Sequence, residues 1–132
     1  MPFGVNSDWQ RQALPKPEIL SYPLETTVID SVVVVSSGIS EAASGTPYAG
    51  RRYMVQGTIL EAVGNGTYKK YDGTGTIAGI LFDTVEFADG TSASHEPVAM
   101  LRRNVSFKSA NIVDFATHEA DLIADLSTCE FL

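Results

Sequence analysis

Gly64-Asn65-Gly66 stands between two β-rich runs, and no other feature constrains the fold of this chain as strongly. Asn-Gly supplies the positive φ angles of a tight turn whose twist matches that of paired strands, so a hairpin is expected there. Its outgoing strand is expected within Arg52–Val63, an extended run that Gly57 interrupts as a candidate bulge. Its return strand is expected over Thr67–Tyr71, closed by the turn Asp72-Gly73-Thr74-Gly75.

Short strands flank this hairpin on both sides. Thr26–Val35 is dominated by β-branched residues and broken only by Asp30-Ser31, which reads as one bent strand or two short ones. Ser36–Pro47 is small and polar, a mobile loop in its composition. Ile77–Phe82 is apolar almost throughout, the pattern of a strand buried on both faces. Val85 and Phe87 alternate with polar residues, Pro97–Leu101 is a further apolar strand, and Val105–Phe107 alternates again. Only the C-terminal stretch has helical spacing. Thr117 stands at a cap position, Glu119 and Asp121 suit the positive end of a helix, and Leu122, Ile123, Leu126 and Cys129 recur on one face. The expected fold is mostly β: a small barrel- or sandwich-like domain over residues 26–132 with one short C-terminal helix.

Residues 1–25 behave differently. Four prolines (Pro2, Pro15, Pro17, Pro23) forbid a long helix or a central strand there. Yet Phe3, Val5, Trp9, Leu14, Ile19, Leu20, Tyr22 and Leu24 make the stretch too apolar for a plain linker. It is expected to be an extended arm that packs on its own domain or on a neighbour.

Composition narrows the function. A chain of 132 residues that is 44% hydrophobic can bury a real core as one domain. Its start lacks the basic, then apolar, pattern of a signal peptide, and its longest apolar run is Val32–Val35, so neither secretion nor a membrane partner is expected. One cysteine, Cys129, allows no internal disulfide. The net charge of −7 disfavours nucleic acid, whose binding depends on Lys and Arg neutralising phosphates. Arg51-Arg52, Lys69-Lys70 and Arg102-Arg103 are isolated pairs suited to salt bridges, not a basic stripe.

Signs of chemistry are sparse. His95 and His118 lie far apart in turn-like contexts and form no i, i+4 ligand pair, so no metal site is expected. Sequence leaves open whether a serine, a histidine and an aspartate meet in space. However, there is no Gly-x-Ser-x-Gly elbow, and Ser92, Ser94 and His95 share one polar stretch. Acidic surroundings disfavour a thiolate at Cys129. The two glycine-rich turns lack the Gly-Lys-Ser/Thr of a phosphate loop. The expectation is a binding and assembly protein, with no catalytic residues and no cofactor.

The middle of the chain adds a resemblance. Gly57-Thr58-Ile59-Leu60, then Gly66-Thr67-Tyr68-Lys69-Lys70-Tyr71-Asp72, then Ala78-Gly79-Ile80-Leu81-Phe82, with Val98-Ala99-Met100-Leu101 later, resembles the head decoration proteins of lambda-like tailed phages. The likeness covers about residues 50–113, roughly half the chain. Arg102-Arg103-Asn104 stands where family members often carry a glycine, and the acidic C-terminal helix departs from the pattern. The resemblance implies a capsid-stabilising homotrimer made in the host cytoplasm. It would sit on the outer surface of the expanded head and bridge subunits of the major capsid protein. It also implies a capsid-contacting N-terminal arm, here residues 1–25 by position, with Phe3, Trp9, Leu14, Ile19, Leu20, Tyr22 and Leu24 as its candidate contacts. Two other readings remain: another virion β-module, such as a head fibre base or tail component, and a small hydrolase on a β scaffold.

Overall fold

The computed structural model describes residues 14–20, 28–64, 66–87 and 95–132. Its strands are β1 (Val28–Val35), β2 (Arg52–Met54), β3 (Ile59–Gly64), β4 (Thr67–Lys70), β5 (Ile77–Leu81), β6 (Val85–Phe87), β7 (His95–Arg103), β8 (Ser106–Phe107) and β9 (Glu130–Phe131). A single 3-10 turn (Ser109–Asn111) and one helix, α1 (Phe115–Asp125), lie between β8 and β9. The protein is mostly β, as its residue pattern requires.

Five strands close into a barrel in the order β1-β4-β3-β5-β7, with β7 returning to β1. The β1–β4 pair is parallel and the other four pairs of the barrel are antiparallel. Closure leaves these strands no bare sheet edge along their paired lengths. Two small ribbons complete the β structure, β2–β6 antiparallel and β8–β9 parallel.

Alternation along the strands creates two cores. Neighbouring residues on a strand point to opposite faces, so Ile59/Leu60, Ile80/Leu81 and Leu101/Met100 each send one side chain to either side. Val34, Leu60, Leu81 and Met100 come from four different barrel strands and meet in one cluster inside it, joined by Met54 and Phe87 of the β2–β6 ribbon. Ile59, Ile77, Ile80 and Leu101 form the outer cluster with Phe107, Ile112, Leu122, Leu126 and Ile19. This accounts for the unbroken apolar character of β5, which is buried on both faces.

Several local expectations change. Asp30-Ser31 does not split β1; Asp30 faces Arg102 across the β1–β7 pair and their ion pair keeps the polar step inside the sheet. Gly57 is not a bulge in one long strand. Its φ of +98° turns the chain out of the β2–β6 ribbon and into the barrel, so the run from Arg52 becomes two strands in two sheets. The loop after β1 is laced across its own base: the Ala42 N–H donates to the Arg51 carbonyl at 2.8 Å and the Gly50 N–H to the Ala42 carbonyl at 3.2 Å. His95 opens β7 opposite Val35 instead of sitting in a turn.

The hairpin turn holds. β3 pairs with β4 across Gly64 and Gly66, both at positive φ, while Asn65 lies outside the described residues.

The C-terminal helix begins earlier than Thr117. Asp114 takes a left-handed conformation (φ 58°) and Phe115 starts the helix, so Thr117 lies in its first turn. Leu122 and Leu126 are buried, but Ile123 is 56% exposed. Cys129 lies past the helix, where the Cys129 N–H donates to the Leu126 carbonyl and the chain turns into β9. That strand carried no periodicity of its own. Phe131 stacks on Phe107, with ring centroids 5.5 Å apart, and seals the outer core. Among the described residues, no helix is long and apolar enough to cross a membrane.

Candidate functional site

The expected contact residues divide sharply. Phe3, Trp9, Tyr22 and Leu24 lie outside the described residues. Leu14 to Leu20 form a strap along the domain. The Thr84 hydroxyl donates to the Pro15 carbonyl at 2.5 Å and accepts from the Gln56 N–H at 2.9 Å. Lys16 pairs with Asp83 at 3.1 Å. Further along, the Asn111 side-chain amide donates to the Glu18 carbonyl at 2.5 Å and the Lys108 N–H to the Ile19 carbonyl at 2.8 Å. Leu20 then bridges to Phe107.

Ile19 is fully buried in the outer core. It is therefore a packing residue of the domain and offers no surface to a partner, a correction to its place among the candidate contacts. Leu14 and Leu20 are half-buried, and Leu20 packs against the same core. In these seven residues the arm and the domain are one structure. A signal was present in the sequence: Pro15 and Pro17 bracket an extended Lys-Pro-Glu-Ile-Leu run that suits a strap better than a free tail.

A groove of about 510 Å³ opens beside the strap, lined by Gln56, Phe82–Val85 and Pro97–Ala99. Sequence reading missed it, because it lies between the end of β5, the start of β6 and the first half of β7, segments far apart in the chain. Its floor carries Phe82, Val85 and Val98, partly buried, with Ala99 beside them. Pro97 is exposed at its rim, on a strand whose β5 partner ends at Leu81. Proline has no N–H to donate, so a position on the unpaired stretch of a strand suits it.

The basic pairs serve the domain itself, through salt bridges. Arg51 grips Glu86 with two hydrogen bonds, at 2.8 and 3.1 Å, and that contact raises the Arg51 pKa. Arg52 reaches Glu41 at 3.8 Å and donates to the Ile39 carbonyl. Lys69 lies 3.2 Å from Asp72 and 3.3 Å from the buried Glu61, which together hold its pKa above the usual lysine value. Asp72 also accepts from the hydroxyl and N–H of Thr74; these bonds, with Lys69, hold its carboxyl well below the usual range. Tyr71 is pushed up by burial and by the carboxylate of Asp121, to which its hydroxyl donates at 3.0 Å.

The candidate chemical groups sit on three separate elements. His95 begins β7, His118 lies on α1 with its ring edge-to-face against Tyr71 (centroids 4.9 Å apart), and Cys129 follows the helix. Burial pushes the Cys129 thiol up, while its Sγ donates to the Arg102 carbonyl at 3.5 Å. Among the described residues no three His, Cys, Asp or Glu side chains are grouped to hold a metal ion. The strap and its groove are thus the feature best shaped for binding. Comparison with protein-family models, with curated proteins and with solved structures gave no match.

Proposed function

We propose that this chain is a head decoration protein of a tailed phage. It binds the outside of the expanded capsid as a homotrimer and braces the shell by bridging major capsid subunits. One observation carries the reading. The four segments that resemble the family are not scattered: they form the entrance to β3, then β4, β5 and β7, which are neighbours in the barrel order β4-β3-β5-β7. Motifs built of common residues gain weight when they make up one continuous wall of a fold. In that wall each resembling residue has an architectural task, such as Gly57 turning the chain, Ile59 and Ile80 facing the outer core, and Leu60, Leu81 and Met100 facing the inner one.

The mechanism is mechanical. Each trimer makes several modest contacts at once, and linkage raises the effective concentration of every later contact. The acidic chain, with its basic pairs engaged internally, stays away from the genome and addresses protein surfaces. Phe3 and Trp9, upstream of the strap, are the gripping residues left in the arm once Ile19 is assigned to the core. Co-sedimentation of the purified protein with empty expanded capsids tests the proposal. Saturable binding to expanded but not unexpanded shells is expected, and no binding to either would overturn it.

A further inference from the structure

We propose a second role for the groove: in the free protein it is the seat of Trp9 from the same chain. The strap dictates the geometry. Pro15 is tied by its carbonyl to Thr84, and Lys16 to Asp83, and both Thr84 and Asp83 line the groove. The thirteen residues upstream of Leu14 therefore set out from the groove's rim. Trp9 lies five residues before Leu14, and five extended residues reach up to roughly 17 Å. That span covers a hollow bounded by two adjoining strand ends.

Size and chemistry agree. A volume of about 510 Å³ admits an indole with room for its backbone. Ring and methyl groups of Phe82, Val85 and Val98 form the floor, and Gln56 at the wall carries an amide oxygen able to accept from the indole N–H, the pairing that buried tryptophan requires. Elsewhere among the described residues, the large apolar side chains that are exposed are Val63, Ile123 and Leu132, on three different elements. Because the tether is short, the local concentration of Trp9 at the groove is in the millimolar range, so even a weak seat fills. A partner that takes Trp9 must then draw it out of this site.

Trp9 is the only tryptophan, so its fluorescence reports on this site alone. In the full-length protein, free of any partner, blue-shifted emission and acrylamide quenching several-fold below that of a free indole are expected, both independent of protein concentration. Nuclear Overhauser contacts should join the indole to the methyl groups of Val85 and Val98. Pro97→Arg and Ala99→Arg should fill the groove and restore quenching, with circular dichroism confirming that the variants are folded; should either unfold, the wild-type contacts decide. Water-like emission with no such contacts would overturn the proposal. Protection that disappears on dilution would also overturn it, by assigning the groove to a second copy, as would contacts that place the β6–β7 connection there. No capsid enters the experiment, so its failure leaves the decoration reading standing.

Discussion

Ile19 shows how one side chain can decide where a domain begins. It reaches the outer core from a proline-bracketed segment, and it lies against Gly57, where a Cβ would approach its side chain at 3.2 Å as well as crowding the Asn111 carbonyl. Truncating a fully buried isoleucine removes its transfer free energy and leaves a cavity. Ile19→Ala is therefore expected to cost about 2–5 kcal/mol in chemical denaturation. Gly79 is a second such point. A Cβ there would lie 2.6 Å from Met100 Cγ and 2.7 Å from the Leu101 carbonyl, and the backbone contact cannot yield as a flexible side chain would. Gly79→Ala should destabilise by about 1–3 kcal/mol, read as a lower denaturation midpoint at unchanged slope. Neither effect was legible from sequence. The Ala-Gly-Ile-Leu run marked a strand, but only the register, with Ile59 opposite Ile80, Leu60 opposite Gly79 and Glu61 opposite Ile77, reveals the irregularity that brings Gly79 against its neighbours.

Secondary-structure elements were legible to the degree that they carried their own periodicity or punctuation. The β3–β4 hairpin was, because its turn chemistry is local, and so was β5, whose apolar run matches burial on both faces. β9 was not: two residues at the chain's end form a strand only because the Glu130 N–H finds the Val105 carbonyl and the Leu132 N–H the Phe107 carbonyl. The groove, assembled from three distant segments, left no local signal either. At the hairpin's foot, Asp72 ties β4 to the following turn through Thr74 and Lys69. Its carboxyl is held below the ordinary aspartate value of about 3.9, so its contribution is present above that pH and lost as the pH falls through the lower folded value. The stability gap between wild type and Asp72→Asn should therefore be constant near neutrality and vanish only in strong acid. A gap that grows on acidification would contradict this. The strap gives a sharper test. Deleting residues 1–13 should leave the melting profile unchanged, whereas deleting residues 1–20 should lower it steeply by removing Ile19 and the bonds to Thr84, Asn111 and Lys108.

At the scale of the whole molecule, charge and shape set how copies meet. With a net charge of −7 per chain, three copies repel one another in solution, and this repulsion is screened over about 10 Å at 0.1 M salt. The helix adds to it on one side: Glu119 is exposed there, and α1 carries no lysine or arginine to offset its acidic residues. A trimer that is weak when free and firm on the shell follows, because the capsid supplies the contacts that overcome the repulsion. Sedimentation velocity should show the trimer fraction rising with salt, and electron cryomicroscopy of decorated heads should show density with threefold symmetry. The two truncations separate grip from scaffold in the same assay. The protein lacking residues 1–13 should stay folded yet lose Phe3 and Trp9, so its binding to expanded capsids should fall at least tenfold. Wild-type affinity in that variant would move the grip onto the barrel, and dimeric density, or single copies without threefold symmetry, would overturn the trimer.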